Sequence, residues 1–361
     1  MITIKRPDLS RVDPSVRDYI EALEAEIQRF SRPTLKESSR TNHSIETEDA
    51  SPVSEVLEPS ELPTTLNVIT LSVQGLIKRT PRHLYLRQRR GGMGVFDLET
   101  HSEDSPAFVA IADESQSVLI FTNFARVFRL PVSKLPESPL HGHSRNLSEW
   151  LQFESDERPA AILPDQANGY VSLVSQSGVV RCLRHHLFGE YMKPGTVLFN
   201  IKESGPLAAV CWTPGDAELL ITTQNGLGIR FGEKLLPPRG DQGIRLSAGD
   251  AVVSVTSIND SSSVFVLSSA GKGTLRLMSG FAANKSPGGS GKVVMKAEKI
   301  VSAFSVEPND DILAISHLGK VIRFKSEEVA SSDSTVQGVN CINLRGDEAT
   351  GAFRSIPVKS H

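Results

Sequence analysis

The chain has 361 residues, 39% of them hydrophobic and 22% charged, with a formal net charge of −3, an ordinary composition for a water-soluble globular protein of two domains or one large one. No apolar run is long enough to span a bilayer, and Pro7, Asp8 and Arg11 interrupt any leader-like core, so a cytoplasmic protein with no membrane partner and no cleaved leader is expected. Cys182, Cys211 and Cys341 lie far apart without C-x-x-C spacing, which predicts reduced thiols in strands or core.

Charge is unevenly spread along the chain. Residues 1–63 hold 8 basic and 13 acidic residues, which leaves 31 basic and 29 acidic for the remainder. A nucleic-acid surface on that second part has to be a local patch, and its binding has to be sensitive to salt.

Within a first segment, 1–31, apolar residues at Val16, Ile20, Leu23, Ile27 and Phe30 fall on one helical stripe, with Asp13 placed to cap and Pro14 at the first turn. A helix this short is marginal alone, so residues 14–30 either dock on the body or pair with a second copy as a homodimer. Residues 32–63 are Ser, Thr, Glu and Pro with few large apolar side chains, the composition of a flexible acidic linker.

From residue 64 to 358 the pattern turns to short apolar strands with a repeat of roughly fifty residues, within the range of propellers. Six times an apolar strand runs into Ser or Thr, two variable residues, a Gly and a second strand: Ser72 to Gly75, Thr122 to Ala125, Ser175 to Gly178, Thr223 to Gly226, Ser268 to Gly271 and Ser316 to Gly319. Each predicts a tight hairpin in which the hydroxyl residue starts the turn and Gly takes a positive φ. Ala125 breaks the pattern, and its turn is expected to be strained or differently built.

An Arg returns once per unit on the second hairpin strand: Arg79, Arg129, Arg181, Arg230, Arg276 and Arg323. It reads either as a charged strand edge that resists aggregation or as a ring of phosphate contacts. After each hairpin a Gly precedes a further short β run, at Gly94, Gly195, Gly243, Gly291 and Gly338, with a less regular version around His141 to Leu147. The first of these ends the loop Gln88-Arg89-Arg90-Gly91-Gly92-Met93-Gly94, which on composition reads either as a Gly-rich surface turn beside two solvated arginines or as two guanidinium groups entering a backbone that can present successive N–H groups to a phosphate. Arg239 keeps one basic residue in the fourth unit, and Lys285 and Lys292 flank the glycines of the fifth, so charge concentrates on units one, four and five.

Other chemistries fit poorly. Gly288-Gly-Ser-Gly-Lys292 lacks the first Gly and the final Ser or Thr of a nucleotide-binding phosphate loop and has no helix after it. His141 with His143 and His185 with His186 have no third ligand beside them, so surface or strand histidines are expected and no metal. No hydrolytic constellation stands out, and no cofactor is expected.

The heptapeptide Gln88 to Gly94, after the strand Val68 to Arg79, resembles the signature sequence of the C-terminal domain of the gyrase A protein, the DNA-cleaving half of DNA gyrase, and Phe121 to Leu130 is similar to the family's strand after that box. The resemblance implies an all-β, six-bladed propeller, or β-pinwheel, at 64–358, preceded by the short helix and linker, around which duplex DNA wraps. One position departs: Met93 stands where the family usually has Lys or Arg. The gyrase A protein and its topoisomerase IV counterpart cleave DNA with a tyrosine that follows an arginine on a large N-terminal domain. Here about sixty residues precede the propeller and none of Tyr19, Tyr85, Tyr170 or Tyr191 follows an Arg, so a wrapping domain without the breaking domain, and no enzyme, is expected.

Phosphate contacts, independent of base sequence, are then expected from Gln88, Arg89, Arg90, Gly91, Gly92, Gly94, the six hairpin arginines, Lys285 and Lys292. Three functional readings follow: a nucleoid-associated module that binds and bends duplex DNA, an accessory subunit of type II topoisomerases, and a protein-interaction scaffold that has lost DNA binding.

Overall fold

The computed structural model describes residues 61–98 and 103–356; the predicted helix at 14–30 and the linker up to residue 60 lie outside the described residues. Each Ser/Thr-x-x-Gly unit is the tip of an antiparallel hairpin. In chain order the hairpins are Leu66–Ser72 with Leu76–Pro81, Ser117–Thr122 with Arg126–Pro131, and Tyr170–Ser175 with Val179–Arg184. Glu218–Thr223 with Leu227–Gly232, Ser263–Ser268 with Lys272–Leu277, and Asp311–Ser316 with Lys320–Lys325 complete the six.

The turn chemistry explains the repeat. In the first unit Gly75 N–H donates to the Ser72 carbonyl (3.2 Å), and Ser72 Oγ accepts from Leu76 N–H (2.8 Å). The hydroxyl thus satisfies the donor that the tight turn leaves free. The five hairpin glycines have φ between 74° and 97°. Ala125, at φ 55°, adopts the same turn and holds its Cβ in the left-handed region, the strain its sequence implies.

Every unit adds a third strand beside the first strand of its hairpin: Pro106–Asp113, Pro159–Pro164, Leu207–Thr213, Val252–Ile258, Ile300–Val306 and Ala349–Ser355. These pack on one another in succession, and the last returns to the first, so the six sheets form a closed ring. Each sheet is sandwiched between two others, which is why the hairpin strands bury both faces. In Val118-Leu119-Ile120-Phe121, Val118 and Ile120 pack with the first blade, whereas Leu119 and Phe121 pack with the third.

The fourth strand of each blade comes from the following unit. Arg145–Asn146 pairs on the first blade, Thr196–Val197 on the second, Asp241–Gln242 on the third, Lys292–Val293 on the fourth and Val339–Asn340 on the fifth. The sixth blade takes Val95–Phe96, the run that leaves the heptapeptide, through Val321↔Val95 and Lys320↔Phe96. The irregular second unit therefore performs the same exchange as the others. The incoming loop also sets a second demand on the hairpin glycine: a Cβ on Gly226 would stand 2.7 Å from the Met295 carbonyl oxygen.

Where blade six meets blade one the apolar cluster is small: Val68, Tyr85, Val109, Leu313, Ile315 and Val321. Charged groups fill the rest of this seam. Lys78 Nζ, on blade one, lies 2.7 Å from Asp97 Oδ1, one residue past the strand on blade six, and both side chains are fully buried. Thr70 Oγ1 donates to Asp97 Oδ2 (3.0 Å) and Lys78 also donates to the Asp97 carbonyl (2.8 Å), so the pair is well satisfied. Beside it Glu61 bridges Arg82 and Arg323. Burial opposes ionisation of Glu61, yet hydrogen bonds from these two arginines hold its carboxyl below the ordinary range.

Replacing Asp97 with Ala strands the buried ammonium of Lys78 and is expected to cost about 3–5 kcal/mol in urea unfolding, whereas Lys78→Met combined with Asp97→Leu should cost clearly less.

Candidate nucleic-acid interface

The heptapeptide loop lies across the seam and its polar groups are largely committed there. Gln88 N–H donates to the Arg323 carbonyl (2.8 Å), Gly91 N–H to Cys341 O (2.8 Å) and Gly92 N–H to Arg89 O (3.1 Å). Gln88 Oε1 accepts from Gly94 N–H (3.0 Å), which pulls the loop into a closed turn. Gly91 and Gly94 have φ of 78° and 70°, and a Cβ on Gly94 would stand 2.8 Å from the Val321 carbonyl oxygen. The glycines are required by this docking, and the phosphate cradle of backbone N–H groups expected from the sequence does not form. The loop docks on the sixth blade and on the outer strand of the fifth.

The two arginines have different fates. Both are exposed. Arg90 donates from Nε to the Glu328 carbonyl (2.7 Å) and from Nη1 to Asn340 O (3.1 Å), while its N–H meets the Glu328 carboxylate (2.9 Å). Arg89 makes no such bond among the described residues and points its charge to solvent. Met93, at the departing position, is half-buried.

The six hairpin arginines require a correction, since the fold makes them neither a charged edge nor a rim of phosphate contacts. Arg79, Arg230, Arg276 and Arg323 are buried, and Arg129 and Arg181 are half-buried. Arg79 pairs with Glu114 (3.1 Å), and Arg129 with Asp165. Arg323 pairs with Asp311 (2.6 Å) and Arg230 with Glu218 and Asp260. Several also reach the single 3-10 turn of the next unit: Arg230 Nη1 donates to Met278 O (2.8 Å) and Phe281 O (3.0 Å), Arg323 Nη1 to Tyr85 O (3.2 Å), and Arg129 Nη1 to Phe188 O (3.3 Å). Arg181 bonds Leu198 O (2.6 Å). Arg276 reaches Gly280 O of its own unit (3.1 Å), and burial depresses its pKa. In Arg230 and Arg323 the periodic arginine is a staple between blades, since a guanidinium can satisfy a carboxylate and two carbonyls at once from one buried position.

Exposed cations stand on five of the six loops that exchange strands, as they do elsewhere on the surface at Lys134, Arg158, Arg184, Lys202, Lys234 and Lys272. Arg89 belongs to the first, Arg145 to the second, Lys193 to the third, Arg239 and Arg245 to the fourth, and Lys285 and Lys292 to the fifth. The sixth loop, 331–340, contains no Lys or Arg. Arg145 is held by Glu149, four residues on. Arg145, Lys193 and Arg245 are not singled out by sequence reasoning, although the signal is present, a cation within a few residues of five of the six outer strands.

Other sequence candidates are placed as follows. His141, His143 and His186 are exposed, and His185 Nε2 lies 3.1 Å from Asp165 Oδ1. The cysteines are free thiols, and burial pushes Cys182 up to about 11 and Cys341 up to about 12. No helix among the described residues is long and apolar enough to cross a membrane.

Six blades, five of four strands and one of five in which Ser331–Ser332 also pairs, each completed by a strand from the next unit and closed at a Gly-rich loop, define a strand-exchanged β-propeller. The family described as DNA gyrase C-terminal domain, beta-propeller, matches residues 66–104, 116–139, 217–259 and 310–354. Along these four stretches the chain is similar to this family. The gyrase A protein of Staphylococcus epidermidis is 30% identical over 321 residues, 84% of this chain and 35% of that protein. The gyrase A protein of Chlamydia trachomatis is 29% identical over 309 residues, 81% of this chain and 37% of that protein. The chain thus spans about a third of the length of these curated relatives. A solved DNA gyrase A C-terminal domain superposes with a TM-score of 0.71 at 19% identity, covering 81% of this chain and 100% of that one. The C-terminal domain of DNA topoisomerase IV superposes with 0.58 at 20% identity, covering 82% and 94%. At these identities the structural likeness establishes the fold alone.

Arg230→Ala removes the donor from two buried carbonyls and should cost about 2 kcal/mol or more in thermal or urea unfolding. Because the side chain is buried, the salt dependence of any DNA binding should stay at the wild-type slope.

Proposed function

We propose that this chain is a non-enzymatic module that binds duplex DNA through its phosphates and bends it around the propeller rim. The observation that carries the reading is the succession of exposed cations on five of the six strand-exchange loops, from Arg89 to Lys292. Long flexible Lys and Arg side chains neutralise backbone phosphates without reading base edges, so binding is independent of sequence. Bending a duplex costs on the order of several kcal/mol per few tens of base pairs, and only contacts repeated along the rim offset it. A DNA-binding module of this kind works in the cytoplasm, on the chromosome.

A second reading is favoured by the comparisons. The relatives are components of DNA gyrase, and the chain corresponds to about a third of each. In that reading it acts as an accessory part of a type II topoisomerase, with strand cleavage and ATP hydrolysis supplied by partner subunits.

The deciding experiment adds the chain to relaxed plasmid with a nicking-closing enzyme. A change in linking number at low salt that fades toward physiological salt is the expected result. No change at any salt, with no shift of linear duplex in a gel, would leave a protein-binding scaffold. Co-purification with topoisomerase subunits selects the second reading.

A further inference from the structure

The loop Lys285-Ser286-Pro287-Gly288-Gly289-Ser290-Gly291-Lys292 has the backbone of the heptapeptide loop. Gly288 and Gly291 have φ of 82° and 77°, against 78° and 70° at Gly91 and Gly94. Gly288 N–H donates to Gly243 O (2.8 Å) and Arg245 N–H to Gly289 O (2.9 Å). In the same register Gly91 N–H donates to Cys341 O (2.8 Å) and Asn343 N–H to Gly92 O (2.9 Å). Both loops then leave as two-residue strands on the preceding blade, Lys292–Val293 on the fourth and Val95–Phe96 on the sixth. The fifth unit thus repeats the seam loop, with Lys285 at the place of Gln88 and Lys292 at the place of Val95.

The two copies differ in what their side chains do. In the first, Gln88 closes the turn and Arg90 is bonded to two carbonyls, which leaves one unengaged guanidinium, Arg89. In the second, Lys285 is exposed and makes no hydrogen bond or ion pair among the described residues; the same is true of the side chains of Arg239 and Arg245 on the fourth loop, which is zipped to it. Lys292 is exposed and has one contact, to Ala282 O at 3.3 Å. The one carboxylate within these two loops is Asp241, whose Oδ1 accepts from the neighbouring Gln242 N–H (2.7 Å). Hydrogen bonds between the loops fix the backbone under these cations, so less ordering accompanies their engagement than on two independent loops.

We propose that the interlocked loops of units four and five, and not the heptapeptide, form the principal phosphodiester-binding surface of this chain, with Arg239, Arg245, Lys285 and Lys292 each meeting a DNA phosphate. This deepens the duplex-DNA reading above and rests on it. The loops carry four cations against one anion on a body that is otherwise close to neutral, so they dominate the local field within a Debye length.

The test measures binding of a short mixed-sequence duplex to the full chain across about 50 to 200 mM salt. The quadruple variant Arg239→Ala, Arg245→Ala, Lys285→Ala, Lys292→Ala should flatten the slope of log K against log salt by about three to four, and Arg89→Ala by about one. A charge-keeping variant, Arg239→Lys with Arg245→Lys, should hold the wild-type slope, which separates loss of charge from loss of fold. If the wild type binds and the quadruple variant keeps its slope, or Arg89→Ala flattens it more, this proposal falls while the DNA-binding reading stands. If the wild type does not bind duplex at any salt, both fall.

Discussion

The second strand of each hairpin has an outer edge that its own unit never covers, and every blade depends on one or, at the fifth, two short strands lent by the next. At five junctions the lender follows directly in sequence. At the sixth it is Val95–Phe96, from the opposite end of the propeller. A two-residue ladder is a weak fastening for a ring, and the seam adds what the ladder lacks. Lys78 and Asp97 join the incoming strand to blade one inside the protein, and Glu61, Arg82, Asp311 and Arg323 tie blade six to the same place. A buried pair of this kind contributes little net stability, because desolvation opposes the Coulomb attraction. Its effect is on choice: a strand arriving without the Asp97 carboxylate would leave an ammonium unpaired, so only one strand closes the ring well.

Much of the architecture is legible in the sequence because the turn chemistry repeats. Ser or Thr followed three residues later by Gly has one inexpensive solution between two β runs, and six copies give six hairpins. Exchange of strands between units is not legible in the same way. The short run after each loop glycine has the same composition whether it pairs with its own hairpin or its neighbour's, and only three-dimensional packing decides. The arginine on each hairpin misleads for a related reason. A charge every fifty residues on a strand looks like a surface feature until the strand is seen to have a blade against each face, where a guanidinium survives only by gripping carboxylates and carbonyls. The heptapeptide is intermediate: its glycines do mark a special backbone, but the N–H groups they free are taken up by Cys341 and by the Gln88 side chain.

The same division accounts for the near-neutral charge. Several of the cations that staple blades come with acidic partners, as Arg230 does with Glu218 and Asp260, and such sets add no net positive charge to the outer field. Part of what remains lies on the exchange loops, where residues are exposed and carboxylates are few. Counting charges over the whole propeller therefore understates the rim, because the buried and exposed populations obey different rules.

The seam also has a history during synthesis. Val95–Phe96 meets its partner about 225 residues further along the chain, so a polypeptide made from its N-terminus completes the first hairpin long before the last exists. Non-local pairing of this kind forms slowly, since loop closure precedes any reward from contact. Until then a short β run, Val95 and Phe96, stands with a free edge, the kind of segment that seeds association between nascent chains. Arg89 and Arg90 sit a few residues ahead of it, and two like charges at that position repel a second copy of the same segment.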